Sequence, residues 1–99
     1  LEKFQNETLR PIIKLQHDLI LTRFEHYLKQ NKINIIELNK TQKTDLMNKL
    51  FKSDTRLKND FRGLIIGLFT LEEYKEYLTI SSQLNKRINN MIRQKLDNS

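Results

Sequence analysis

A chain of 99 residues has room for one domain, and a hydrophobic fraction of 37%, nearly all Leu, Ile and Phe, suffices for one modest core. The absence of cysteine excludes disulfides, thiolate catalysis and Cys-based metal sites. A net charge of +6 suits a polyanionic partner, yet heavy use of Lys, Asn and Ile with no Ala, Val or Trp also fits the codon bias of an AT-rich genome.

Leu1 to Arg10 lead into a first long helix, and Pro11 suits its first turn, where a missing N–H costs nothing. Ile12, Ile13, Leu15, Leu19, Ile20, Phe24, Tyr27 and Leu28 then recur at helical spacing to about Lys29. Projected on a helical wheel, Leu9, Ile13, Ile20 and Tyr27 mark the centre of the stripe, and the polar Gln16 and Arg23 fall there too. In the plainer reading, Arg23 extends to solvent over its own stem or pairs with a carboxylate such as Glu73. The functional alternative is a polar pocket of Gln16, Arg23 and the hydroxyl of Tyr27 or Tyr74 that holds an anionic ligand.

Asn31 to Leu38 carries Ile33, Ile35, Ile36 and Leu38 but has no partner strand, so a loop with apolar anchors is predicted. Asn39 and Gln42 stand at capping-box spacing before a short helix bearing Leu46, Met47, Leu50 and Phe51. Ser53-Asp54 ends that helix and caps the next, which starts near Thr55 and shows Leu57, Phe61, Leu64, Ile65 and Leu68 on one face. From Gly63 to Phe69 no side chain is polar, so Phe61–Phe69 is expected to be the central helix, buried all round. Gly63 and Gly67, four apart, imply a tight helix crossing within the chain or between chains. Mid-helix glycines cost about 1 kcal/mol each against Ala, and close packing would offset that.

Thr70 and Glu73 form a second capping box, and Leu71, Tyr74, Tyr77 and Leu78 continue the apolar pattern beyond it. Ser81-Ser82 either breaks this helix or is tolerated within a longer one. The last helix has a narrow stripe of Leu84, Ile88, Met91 and Ile92, and a basic, amide-rich side of Lys86, Arg87, Asn89, Asn90 and Arg93. The expected fold is all-α: a single compact bundle of about five helices, two of them short.

No catalytic, metal or cofactor constellation emerges. His17 and His26 are nine apart, on opposite sides of one helix, with no partner at metal-ligand spacing. Glu72, Glu73 and Glu76 begin a helix, where the macrodipole favours acids. No glycine-rich phosphate loop is present, and the spacing of Ser81 and Ser82 from either histidine suggests no nucleophile–base pair. No apolar run is long enough for a membrane span, and no apolar core follows a basic start as in a signal peptide. A cytoplasmic protein without membrane contact is expected.

Three segments, Leu9-Arg10-Pro11-Ile12-Ile13-Lys14-Leu15-Gln16, Phe61 through Tyr74, and Leu84-Asn85-Lys86-Arg87, together resemble a group of small all-helical proteins from Bacteroidetes-type bacteria. Genome labels often call these proteins glyoxalase, although their function is unassigned. The resemblance implies a helical, cytoplasmic protein. It implies no glyoxalase chemistry, because that fold is built from βαβββ units with His and Glu metal ligands, and this chain offers neither credible strands nor ligand spacing.

The sequence therefore leads to a non-enzymatic protein acting by association, as a homo-oligomer or adaptor, through Leu84, Ile88, Met91 and Ile92 and the Gly63/Gly67 crossing. A nucleic-acid binder using Lys86, Arg87, Asn89, Asn90 and Arg93 is the first alternative. A small anionic ligand held by Gln16, Arg23, Tyr27 and Tyr74 is the second.

Overall fold

The computed structural model describes residues 1–99. Helices fall in the order α1 (Glu2–Phe4), a π-helical stretch (Gln5–Leu9), α2 (Arg10–Leu15), α3 (His17–Gln30), α4 (Lys40–Ser53), α5 (Thr55–Ile66), α6 (Leu71–Thr79) and α7 (Ser81–Asp97). The first three form one helical run that precedes five longer helices, giving six helical bodies where about five were expected. The bundle is all-α, contains no strand, and measures 43 × 21 × 20 Å.

Pro11 stands in the first turn of α2, as expected, and the helical run continues before it back to Glu2. The π stretch makes this possible. Its bonds reach back five residues, as from the Arg10 N–H to the Gln5 carbonyl, and the wider turn relieves the clash that a proline ring makes with the carbonyl four residues earlier. The run then breaks at Gln16, whose backbone leaves the helical region (φ −90°, ψ 10°). Leu9 and Ile13 are buried before it, and Ile20, Phe24 and Leu28 after it, on one continuous stripe, and Arg23 falls at the edge of that stripe and stays exposed rather than at its centre.

Both expected capping boxes form. The Asn39 side chain accepts from the Gln42 N–H and the Gln42 side chain accepts from the Asn39 N–H; Thr70 and Glu73 do the same at the start of α6. Asp54 caps α5 by accepting from the Leu57 N–H at 3.0 Å. The stretch after α3 is a loop with apolar anchors, as expected: Ile33 and Ile35 pack on the core while Ile36 stands in solvent. α3 ends in a Schellman motif, with the Ile33 N–H on the Leu28 carbonyl at 2.9 Å and the Lys32 N–H on the Lys29 carbonyl at 3.2 Å. Lys32 takes the left-handed position usually given to glycine, at φ 55°.

The central helix is α7, not Phe61–Phe69. α7 packs against α3, α4, α5 and α6 and contributes Leu84, Ile88, Ile92 and Leu96 to the core, the first three with no exposed surface. α5 is amphipathic: Leu57, Phe61 and Ile65 are buried, Gly63 is exposed, and the helix stops at Ile66. A run without polar residues satisfies the pattern for a buried helix, yet here it spans a helix end and a turn, where successive residues point in different directions. Phe61 packs between Phe24 and Phe51 at centroid distances of 6.4 and 6.0 Å.

Candidate functional site

The outer face of α6 is the candidate site. Leu71 and Leu78 are seven positions apart, with Tyr74 between them, so the three side chains share an arc of about 60° on the helix. All three are exposed, Leu71 by 68% and Leu78 by 54%, and Leu68 just before the helix is exposed as well. These are four of the eight large hydrophobic residues that the fold leaves in solvent, gathered within eleven consecutive positions. Single exposed leucines are commonplace, whereas a row of them marks a contact surface.

The docked side of α6 fixes this orientation. Tyr77 is buried, with its ring against Phe69 at 5.7 Å, and its hydroxyl donates to Asn85 Oδ1 of α7 at 2.6 Å. Glu73 caps its own helix through Oε1, which accepts from the Thr70 N–H at 2.8 Å, and its Oε2 accepts from the Thr8 hydroxyl at 3.1 Å. Thr8 is the one buried polar residue of the chain. Phe4 meets Phe69 edge-on at 5.5 Å, so α6 is held from both sides of its N-terminus. Glu72, Lys75 and Glu76 are exposed on the same helix, with Lys75 and Glu72 3.9 Å apart as the molecule's only ion pair. The row is thus a rigid apolar strip with charged neighbours.

The surface expected on the last helix is not available. Leu84, Ile88 and Ile92 are consumed by the monomer's own core, and Met91 is partly buried against it. A narrow apolar stripe suits a partner helix, and four partners are already present in this chain. The tight crossing expected at Gly63 and Gly67 is likewise absent within the chain. Both glycines are exposed, a Cβ at Gly63 would meet nothing within 4 Å, and one at Gly67 would meet only the carbonyl of Gly63 at 3.0 Å.

The basic side of α7 is partly committed. The Arg87 guanidinium donates to Gln5 of the π stretch, Arg93 and Asn89 are half-buried, and Asn89 Oδ1 is shielded from solvent without a partner. Lys86 and Asn90 alone of the five remain fully exposed.

The pocket expected from Gln16, Arg23, Tyr27 and Tyr74 does not assemble. Gln16 Nε2 donates to the Leu64 carbonyl at 3.0 Å, serving the end of α5 from the break between α2 and α3. Arg23 and Tyr27 share a cleft of only about 80 Å³ with Asp60, well under the few hundred Å³ of a ligand pocket. Arg23 is exposed and forms no ion pair, and Glu73 is bonded elsewhere. Tyr74 lies on α6 rather than α3, its ring tilted beside that of Tyr77 at 5.7 Å. The Tyr27 hydroxyl donates to Asp54 Oδ2 at 2.7 Å. Burial first, and then the bond to Asp54 and its charge, push the Tyr27 hydroxyl up to about 12. The Leu57 N–H, with the Tyr27 hydroxyl second, holds the Asp54 carboxyl below its ordinary range.

No protein-family model, curated protein or solved structure matches this chain. No group of three or more His, Cys, Asp or Glu residues is placed to hold a metal ion, and no helix is long and apolar enough to cross a membrane.

Leu71, Tyr74, Tyr77 and Leu78 follow one another as a single apolar pattern in the sequence, which conceals that they divide between the docked and the exposed sides of α6. The discriminating signal is angular. Tyr77 and Glu73 lie about 40° apart on the wheel and about 100–160° from Leu71 and Leu78, with Tyr74 between the two groups, and a nine-residue helix docked by one side cannot bury both.

Proposed function

We propose that this protein acts by association, and that the outer face of α6 is the contact surface. The supporting observation is the exposed row Leu68, Leu71, Tyr74 and Leu78 on a helix whose other side is already docked through Tyr77. Rows of this kind carry helix–helix contacts through residues spaced three and four apart. The partner put forward is a second copy, with the two α6 helices antiparallel across a two-fold axis, so that Leu71 of each faces Leu78 of the other. The acids and the lysine flanking the row then sit at the rim, where charges set orientation more than affinity.

Leu71→Glu with Leu78→Glu tests this directly. Both side chains already stand in solvent, so the monomer should fold unchanged while a dimer seen by light scattering disappears. A wild-type protein that stays monomeric at millimolar concentration would end the self-association reading. Nucleic-acid binding through α7 has weaker support, since Arg87 is bonded to Gln5, and Asn89 and Arg93 are half-buried.

A further inference from the structure

A second feature, separate from the α6 face, is a groove of about 510 Å³ between the N-terminal helical run and the end of α7. Arg10, Lys14 and His17 follow one another at positions i, i+4 and i+7 along one wall. Lys95 of α7 stands on the other wall, with the amides of Gln94 and Asn98. An adjoining cleft of about 380 Å³ shares Lys14, His17 and Lys95 and is bordered by Asp18.

From this arrangement we infer that the groove binds a small phosphorylated anion, with Arg10, Lys14 and Lys95 supplying the charge and His17 a further polar contact. No acidic side chain lines the groove itself. None of its cations has a carboxylate within ion-pair distance, for the molecule's one ion pair lies on α6. Three like charges brought around one groove repel each other, and Asp18 of the adjoining cleft is the one acidic side chain lining either cavity. Arg10 is also pre-positioned: its Nε donates to Asn6 Oδ1 at 2.9 Å, which leaves the terminal amino groups of the guanidinium for the paired hydrogen bonds that suit phosphate oxygens. The His17 ring is not committed to any partner in the protein, and its Nδ1 is shielded from solvent without a hydrogen bond. Ser99 sits at the rim with its backbone oxygen taken by the Lys43 ammonium at 3.1 Å.

The size and lining select the ligand class. A few hundred Å³ holds a small molecule, and three cations match the charge of a diphosphate. A nucleic-acid strand would call for a longer basic track with aromatic platforms for its bases, and no Phe or Tyr lines this groove.

Inorganic pyrophosphate is the probe, titrated calorimetrically at constant ionic strength into three proteins: wild type, Lys14→Ala with Lys95→Ala, and Lys29→Ala with Lys40→Ala. The last pair removes the same charge at exposed positions outside the groove. Saturable one-to-one binding to wild type, weakened about tenfold or more by the groove pair and unchanged by the control pair, is the expected result. Backbone amide resonances of residues 10, 12–17 and 91–98 should shift with pyrophosphate in the wild-type protein, a readout independent of whether either variant folds. The inference is overturned by no saturable binding in the millimolar range, by equal loss in both variants, or by shifts located elsewhere. Tighter binding of a single-stranded oligonucleotide through Lys14 and Lys95 would also overturn it.

Discussion

Replacing Tyr27 by Phe isolates one bond that ties α3 to the start of α5. The Tyr27 hydroxyl donates to one oxygen of Asp54 at 2.7 Å, while the other oxygen caps α5 by accepting from the Leu57 N–H at 3.0 Å. Phenylalanine keeps the ring and its stack on Phe24 at 6.1 Å, so the change removes little besides the hydrogen bond. Bonds to charged groups contribute about 1.5–3 kcal/mol. This one lies at the solvent edge, where screening puts the loss at about 1–1.5 kcal/mol, or roughly 4–8 °C in melting temperature per kcal/mol for a domain of this size. Urea unfolding followed by circular dichroism at neutral pH measures it. The pH dependence has a fixed sign on both sides. The Asp54 carboxyl is held below its ordinary range, so its contribution is complete above about 3.9, the unfolded value, and fades as pH falls through the lower folded value. The Tyr27 hydroxyl is pushed up to about 12, so its contribution is complete below about 10 and fades as pH rises from there toward the folded value. The difference between wild type and Tyr27→Phe should therefore be flat through neutral pH and shrink at both extremes. A difference under about 0.3 kcal/mol at neutral pH, within the scatter of surface substitutions, would refute the reasoning. So would a double-mutant cycle with Asp54→Ala that shows no coupling.

Three further outcomes follow from single residues. Lys32→Gly should stabilise the protein by about 0.5–1 kcal/mol in thermal or urea unfolding, because Lys32 holds φ 55° in the Schellman turn after α3. Gly63→Ala should also stabilise by about 0.5–1 kcal/mol, since a Cβ there meets nothing within 4 Å; destabilisation would show that the glycine serves a contact absent from the monomer. Ile92→Ala should cost about 2–5 kcal/mol as a core truncation while Leu78→Ala costs less than about 0.5 kcal/mol. Reversal of that order would return α7 to the role of interface and α6 to the core.

The parts of the fold legible in the sequence are those decided locally. Asn39 with Gln42, Thr70 with Glu73, and Asp54 each satisfy the first N–H groups of a helix with a side chain a few positions away, so their pattern reads correctly without any tertiary knowledge. The Schellman turn at Lys32 does not, because its usual glycine is absent. Gln16 hid a helix break: its own backbone leaves the helix, and its side chain is satisfied by the Leu64 carbonyl, 48 positions away. Rank within the bundle was equally hidden. α5 has the densest apolar run, yet α7, with its sparse stripe, became the hub because Leu84, Ile88, Ile92 and Leu96 align along 17 residues and reach four neighbours. The N-terminal helical run meets the rest of the bundle through partners far along the chain. Thr8 bonds Glu73, Gln16 bonds Leu64, Arg87 bonds Gln5, and Phe4 packs on Phe69. No sequence spacing announces that convergence, since every link spans at least 48 positions.

Association through α6 is tested most directly by sedimentation equilibrium of the wild type and of Leu71→Glu with Leu78→Glu, over concentrations up to the millimolar range. The account predicts a concentration-dependent dimer for wild type and a folded monomer, with an unchanged melting temperature, for the variant. A wild type that stays monomeric throughout, or a dimer that survives both glutamates, would contradict it.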